Sequence, residues 1–269
     1  MVCDLFEFAY IPNWYLQLDD LAEMALPEPW RFCDCDYSYK NTDNPILERY
    51  LQCTFRKLAV DYNNEPDKDK KQKIFYFENE FSCFNTGLYT RQYKEIYACF
   101  KRNHKTDTLL RWYFRGFADE CSPLLRYVSC LPERPLSILP LHGIHYFPDH
   151  PIRVNIDHIL GDSANVERLP ESIRDARNLP LLLETAVELA RRQAIIVPSI
   201  VVPQIYQQRV QYLLPLCLTD MENPDLAMTL CEMDGYYIGS TCLTLQMAYL
   251  NARLLARPTA PWLVSLVEE

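Results

Sequence analysis

The sequence predicts an α+β fold: an aromatic-rich antiparallel sheet with packed helices and a C-terminal three-strand plus helix unit. Three observations carry this expectation. Two segments, near 46–58 and 179–195, repeat apolar residues at helical spacing. The block from Lys73 to Phe117 is dense in aromatic residues with partial alternation, which suits half-buried strands. Farther on, Asp234-Gly235 joins two apolar runs, and that dipeptide favours a two-residue hairpin. The 269 residues fit one compact domain, 1–269, or two lobes of about 1–131 and 152–269 joined by a Pro- and His-rich segment.

Each element has its local reason. Leu5, Phe6, Phe8 and Tyr10 give an apolar start that Pro12 breaks. WYLQLDDLAEMA then predicts a short helix ended by Pro27. Ile46, Tyr50, Leu51, Phe55 and Leu58 form the stripe of a second helix, whose polar face carries Glu48, Arg49, Arg56 and Lys57. Residues 61–73, DYNNEPDKDKKQK, read as a charge-mixed solvated loop. KIFYFENEFSCF, EIYACFKR and RWYFRGF follow as short strands. From Pro132 to Pro151 the prolines forbid a regular helix and limit strand pairing, so an extended segment is expected. Leu182, Leu183, Ala186, Leu189 and Ala190 mark the clearest helix. After VPSIVVPQIY come the strands RVQYLLPLCL, DLAMTLCEM and YYIGSTCL, then a helix from about Leu245 to Leu255.

Composition removes several function classes. Only 6 Gly stand against 19 Pro, and neither GxGxxG nor GxxxxGK[ST] occurs, which argues against a Gly-rich phosphate loop. A net charge of −9 supplies no long-range attraction for duplex DNA, and no such partner is expected. The apolar stretches are too short for a membrane span. Eleven cysteines, an odd number with no signal-peptide pattern, point to reduced thiols in the cytoplasm, with the nucleus as the alternative. Cys33 and Cys35 are spaced too tightly for a zinc knuckle, and His142 and His145 lie where Pro140 and Gly143 disfavour a helix. No metal site is assigned, and the sequence requires no cofactor.

Three polar constellations are candidate sites. In FNTGL, Gly87 can take positive φ in a tight strand-ending turn, while Asn85 and Thr86 either complete that turn or face a ligand. In IRVNIDHIL, strand alternation would put Asn155 and Asp157 on one face and His158 opposite, unless a turn near Ile156 swings them together. A histidine such as His158 suits acid–base work, with Asp157 or Asn155 orienting it; equally, Asp157 could cap the next turn. On AYLNARLLARP, Tyr249 and Arg253 share a helical face with Asn251 between them, and Arg253 could bind phosphate or be a solvated edge.

The ordered motifs FNTGL, LPERP, NIDHIL, VPQIY, YLLPLCL and AYLNARLLARP resemble the family called domain of unknown function 3825, from about residue 5 to residue 263. The resemblance implies an RNA-linked setting, since members of that family occur beside cold-shock and LOTUS-type modules. The positions in its polar motifs are Asn85, Thr86, Gly87, Asn155, Asp157, His158, Asn251 and Arg253.

Together these readings set two functional expectations. The first is a metal-independent enzyme acting on RNA ends or a nucleotide-like phosphate ester, by hydrolysis or by phosphoryl or nucleotidyl transfer. His158 would exchange the proton, Arg253 would neutralise phosphate, and Asn85 with Thr86 would contact oxygens of the ligand. The alternative is a non-catalytic module binding RNA, a nucleotide or a protein through its aromatic and arginine surface.

Overall fold

The computed structural model describes residues 2–33, 42–78, 80–104, 109–126, 128–135, 144–206 and 209–267. The chain divides into two compact units, 1–136 and 137–267. The division falls within the Pro- and His-rich segment, of which 136–143 lie outside the described residues.

In the amino-terminal unit, α1 (Leu5–Phe8) leads into the two-residue strand β1 (Ala9–Tyr10), followed by α2 (Trp14–Met24), α3 (Pro45–Asn64) and α4 (Lys68–Ile74). The strands β2 (Tyr76–Phe77), β3 (Phe81–Tyr89), β4 (Glu95–Arg102) and β5 (Trp112–Asp119) then build a sheet of order β1-β5-β4-β3-β2. Three of its pairings are antiparallel, whereas β1 runs parallel to β5. The sheet is therefore mixed rather than antiparallel throughout. One face buries a phenylalanine cluster: Phe8 meets Phe55 and Phe100 with ring centroids 5.2 Å apart, and Phe100 meets Phe114 at 5.4 Å. Burying each ring stabilises the fold by roughly 1.5–3 kcal/mol, which accounts for the aromatic enrichment of this block. The opposite face packs Tyr76, Cys83, Tyr97, Cys99 and Ala118 beneath Leu125, Val128 and Leu131.

Residues 61–73 depart from the loop expectation. Asp61–Asn64 complete α3, and Lys68–Ile74 form α4. Asp67 starts α4 by accepting from the backbone N–H groups of Asp69 and Lys70 at 2.9 and 3.1 Å. No residue of α4 is buried, so its capping and polar surface form a helix without an apolar stripe.

The carboxy-terminal unit contains β6 (Ile152–Val154), α5 (Ile156–Gly161), α6 (Ser163–Arg168), α7 (Glu171–Arg174) and α8 (Leu179–Ile196). It continues with β7 (Val202–Tyr206), β8 (Arg209–Leu216), β9 (Leu226–Met233), β10 (Tyr236–Thr244), α9 (Leu245–Arg253) and α10 (Pro261–Val264). Its sheet has the order β6-β10-β9-β8-β7, five strands where the sequence predicts three. The β9–β10 hairpin turns at Asp234-Gly235 with Gly235 at φ 78°, as the sequence predicts. Tyr212, Leu214, Leu216, Met228 and Leu230 share one core with Leu183, Ala186 and Val187 of α8.

Candidate functional site

The three sequence-derived constellations have different fates. Asn85, Thr86 and Gly87 lie inside β3, at an irregularity in its pairing with β4, and not at the end of a strand. Both Asn85 and Thr86 are fully buried. The Asn85 amide donates to Glu95 Oε2 at 2.9 Å and to the Pro132 carbonyl at 3.3 Å, and its Oδ1 accepts from the Gly87 N–H at 2.9 Å. Thr86 Oγ1 donates to the Ile96 carbonyl at 2.7 Å and accepts from the Leu88 N–H at 3.2 Å. These bonds satisfy both side chains without a ligand and hold the bulge in which Gly87 takes φ 79°.

Asn155, Asp157 and His158 sit on a helix, not a strand. Asn155 is the N-cap of α5, its Oδ1 accepting from the His158 N–H at 3.1 Å, and that bond converts the strand of β6 into a helical turn. All three are exposed. Among the described residues, neither the Asp157 carboxylate nor the His158 ring has a hydrogen bond or ion pair.

Tyr249 and Arg253 are both turned inward, at 1% and 9% exposure. Asn251 donates to Gln204 Oε1 at 3.0 Å; Gln204 in turn donates to Gln211 Oε1 at 3.0 Å. Gln211 alternates with Tyr212, whose ring belongs to the core shared with α8, so Asn251 and α9 occupy the other face of this sheet. Ile159 of α5 belongs to the α8-side core. The sheet thus separates α5, with His158, from α9, with Arg253.

Sequence reasoning did not find the cleft that is richest in binding chemistry. It opens in the amino-terminal unit, holds about 450 Å³, and is lined by Phe8, Tyr62, Phe77 and Trp112 together with Val2, Glu7, Leu109, Leu110 and Arg111. That volume falls in the range of small-ligand sites. The rings come from four separate elements or their ends. Phe8 closes α1, Tyr62 lies in the last turn of α3, Phe77 ends β2, and Trp112 opens β5. Tyr62 meets Phe77 edge-on at 5.1 Å, Phe77 lies 5.9 Å from Trp112, and Phe8 stacks on Trp112 at 6.0 Å.

Cations sit over the rings. Lys71 Nζ lies 4.9 Å from the centroid of Tyr62, and the Arg111 guanidinium lies 5.5 Å from that of Trp112. Such contacts hold ammonium and guanidinium groups beside apolar surface, where they remain available to an anion. Burial raises the Tyr62 hydroxyl above its ordinary range, which favours its neutral, hydrogen-bond-donating form. The rim also offers the Glu7 carboxylate and Leu109, an apolar side chain left fully exposed. Among the described residues that line this cleft there is no histidine or cysteine.

Other openings are chemically plainer. A cleft of about 350 Å³ beside α3 and α4 gathers Lys57, Lys70, Lys73 and Arg134, but Lys57 pairs with Asp61 at 2.5 Å and Lys73 with Glu133 at 3.0 Å. In the carboxy-terminal unit a groove of about 520 Å³ is lined mainly by apolar residues including Ile200, Met221, Leu245 and Trp262. Among the described residues no group of three His, Cys, Asp or Glu side chains is placed to hold a metal ion. His142 lies outside the described residues, as does Cys35; the other ten cysteines are free thiols. No helix of the described residues is long and apolar enough to cross a membrane.

No curated protein and no solved structure matches the chain. One family does match, over residues 21–262, and it is described as Domain of unknown function (DUF3825). That span takes in both sheets apart from β1, and the chain belongs to this family.

Proposed function

We propose that the protein is a binding module whose amino-terminal unit takes a nucleotide or an unpaired RNA base into the aromatic cleft. The observation that carries this reading is the conjunction of half-buried Tyr62 and Phe77 with Lys71 over the Tyr62 ring and Arg111 over the neighbouring Trp112 ring. A base offers a flat π-face to the rings, and its phosphate offers charge to the cations. The described side chains of the cleft suit recognition more than turnover: among them Glu7 is the one carboxylate, and none forms a nucleophile–base pair. The RNA-linked setting implied by the family resemblance agrees with this choice of ligand.

Calorimetric titration with the four ribonucleoside monophosphates tests the proposal. Tyr62→Ala and Phe77→Ala should each weaken binding by about 5- to 150-fold, from the roughly 1–3 kcal/mol that stacking one base contributes. Unchanged affinity in both variants would remove the cleft from consideration.

A second reading keeps the catalytic expectation for RNA ends or phosphate esters. It is favoured by the exposure of Asp157 and His158 and by their lack of hydrogen-bond or ion-pair partners among the described residues. His158→Ala should then abolish turnover while leaving ligand affinity intact; preserved turnover would rule His158 out as proton carrier.

A further inference from the structure

The amino-terminal sheet carries a second line of ring and charge, on the face opposite its phenylalanine core. The register aligns Tyr10 of β1 with Tyr113 of β5, Tyr113 with Lys101 of β4, and Lys101 with Phe81 of β3. Directly paired residues point to the same side of a sheet, so these four side chains form one row across four strands. The contacts agree. The Tyr10 and Tyr113 rings lie 5.8 Å apart, and Lys101 Nζ lies 5.3 Å from the Tyr113 centroid. Alternation along β5 accounts for the separation of the two surfaces: Trp112 points to the phenylalanine core and Tyr113 away from it.

The β1, β5 and β4 members of this row keep solvent exposure where the rest of the face is covered. Leu125, Val128 and Leu131 pack over Tyr76, Cys83, Tyr97 and Cys99, with Phe81 at the margin of that cluster. Beyond it Tyr10 is 36% exposed, Lys101 is exposed, and Tyr113 is half-buried. Arg115, exposed at the bulge where β5 loses register with β4, adds a second cation. The Glu80 carboxylate next to Phe81 is turned to His104, at 3.4 Å.

From this arrangement we infer that the row is a stacking platform for single-stranded nucleic acid, which makes the ligand of this protein an oligonucleotide and not a free mononucleotide. The inference deepens the cleft reading proposed above and rests on it for the class of ligand, but it names different residues. Neighbouring strands stand about 4.8 Å apart, so the rings on β1 and β5 offer successive bases separate faces, and Lys101 on β4 lies beside them for a phosphate. A duplex presents neither free base faces nor an open row of stacking sites, so it is a poor occupant.

The test is fluorescence anisotropy with a labelled octauridylate, run beside calorimetry with uridine monophosphate on the same 269-residue chain. The octamer should bind at least tenfold more tightly than the monophosphate. Tyr113→Ala should weaken the octamer roughly 10- to 100-fold and leave the monophosphate unaffected. Lys101→Glu, at an exposed site that spares the fold, should weaken the octamer and lower the magnitude of its salt slope by about 0.7. Thermal melts check that each variant is folded, and Tyr113→Phe, which keeps the ring, should bind like the parent.

Octamer affinity within twofold of the parent in both Tyr113→Ala and Lys101→Glu overturns the platform, whatever the cleft does. The same result with a change in sedimentation coefficient would assign the row to self-association instead. Octamer binding that falls in these variants but not in Tyr62→Ala would leave the platform standing and remove the cleft. Failure of both ligands to bind the parent chain overturns both.

Discussion

Gly87 shows how a sequence signal can be read correctly at one level and miss at the next. Asn-Thr-Gly announces positive φ, and the backbone adopts it at 79°. What the tripeptide does not disclose is that Asn85 and Thr86 face inward and spend their hydrogen bonds on Glu95, Pro132 and Ile96, residues 10 or more positions away. A Cβ at position 87 would stand 2.6 Å from the Tyr50 hydroxyl, which donates to the Thr86 carbonyl at 3.1 Å. Gly87→Ala should therefore cost about 2–3 kcal/mol, combining left-handed strain with a disturbed buried hydrogen bond. Urea denaturation measures it, and a midpoint unchanged from the parent would show that the bulge relaxes freely. Adding Tyr50→Phe, which removes the clashing oxygen, should recover part of the loss in a double-mutant cycle.

At the scale of elements, those with their own periodicity or turn chemistry were legible. Strand β4 matches EIYACFKR end to end, α8 follows its leucine–alanine stripe, and the β9–β10 hairpin follows Asp-Gly. Elements whose reason lies elsewhere were not. Strand β7 contains Pro203, which suits an edge strand, and its edge place becomes visible only once β8 is beside it. The alternation of Ile152, Val154 and Ile156 reads as a continuing strand, yet a single side-chain bond at Asn155 starts α5. That bond makes a prediction. Asn155→Ala should destabilise the chain by about 1 kcal/mol while Asn155→Ser and Asn155→Asp stay near the parent, as read by thermal melts. If Asn155 also oriented a catalytic histidine, activity would fall in the serine and aspartate variants despite their intact stability.

For the whole molecule, the fold class and the family were within reach of the sequence, whereas the aromatic cleft was not. Phe8, Tyr62, Phe77 and Trp112 have no shared spacing, and each sits in a segment where a core ring is equally expected. With 18 Tyr and 12 Phe in the chain, the aromatic excess signals a ring-rich surface without saying where it lies. The division into units also predicts behaviour. A chain severed between 136 and 143 should yield two fragments that each unfold cooperatively on heating, because each holds its own sheet and core. A fragment without a cooperative melt would show that its unit depends on the other. Both units end their sheets in the same way, by a parallel pairing between first strand and last: β1 beside β5, and β6 beside β10. The ribosome must therefore release Trp112 before Ala9 has its neighbour, and Tyr237 before Ile152 has one. A nascent chain halted before either point leaves an opening strand unmatched, so each half of this protein completes its sheet only when its last strand returns to its first.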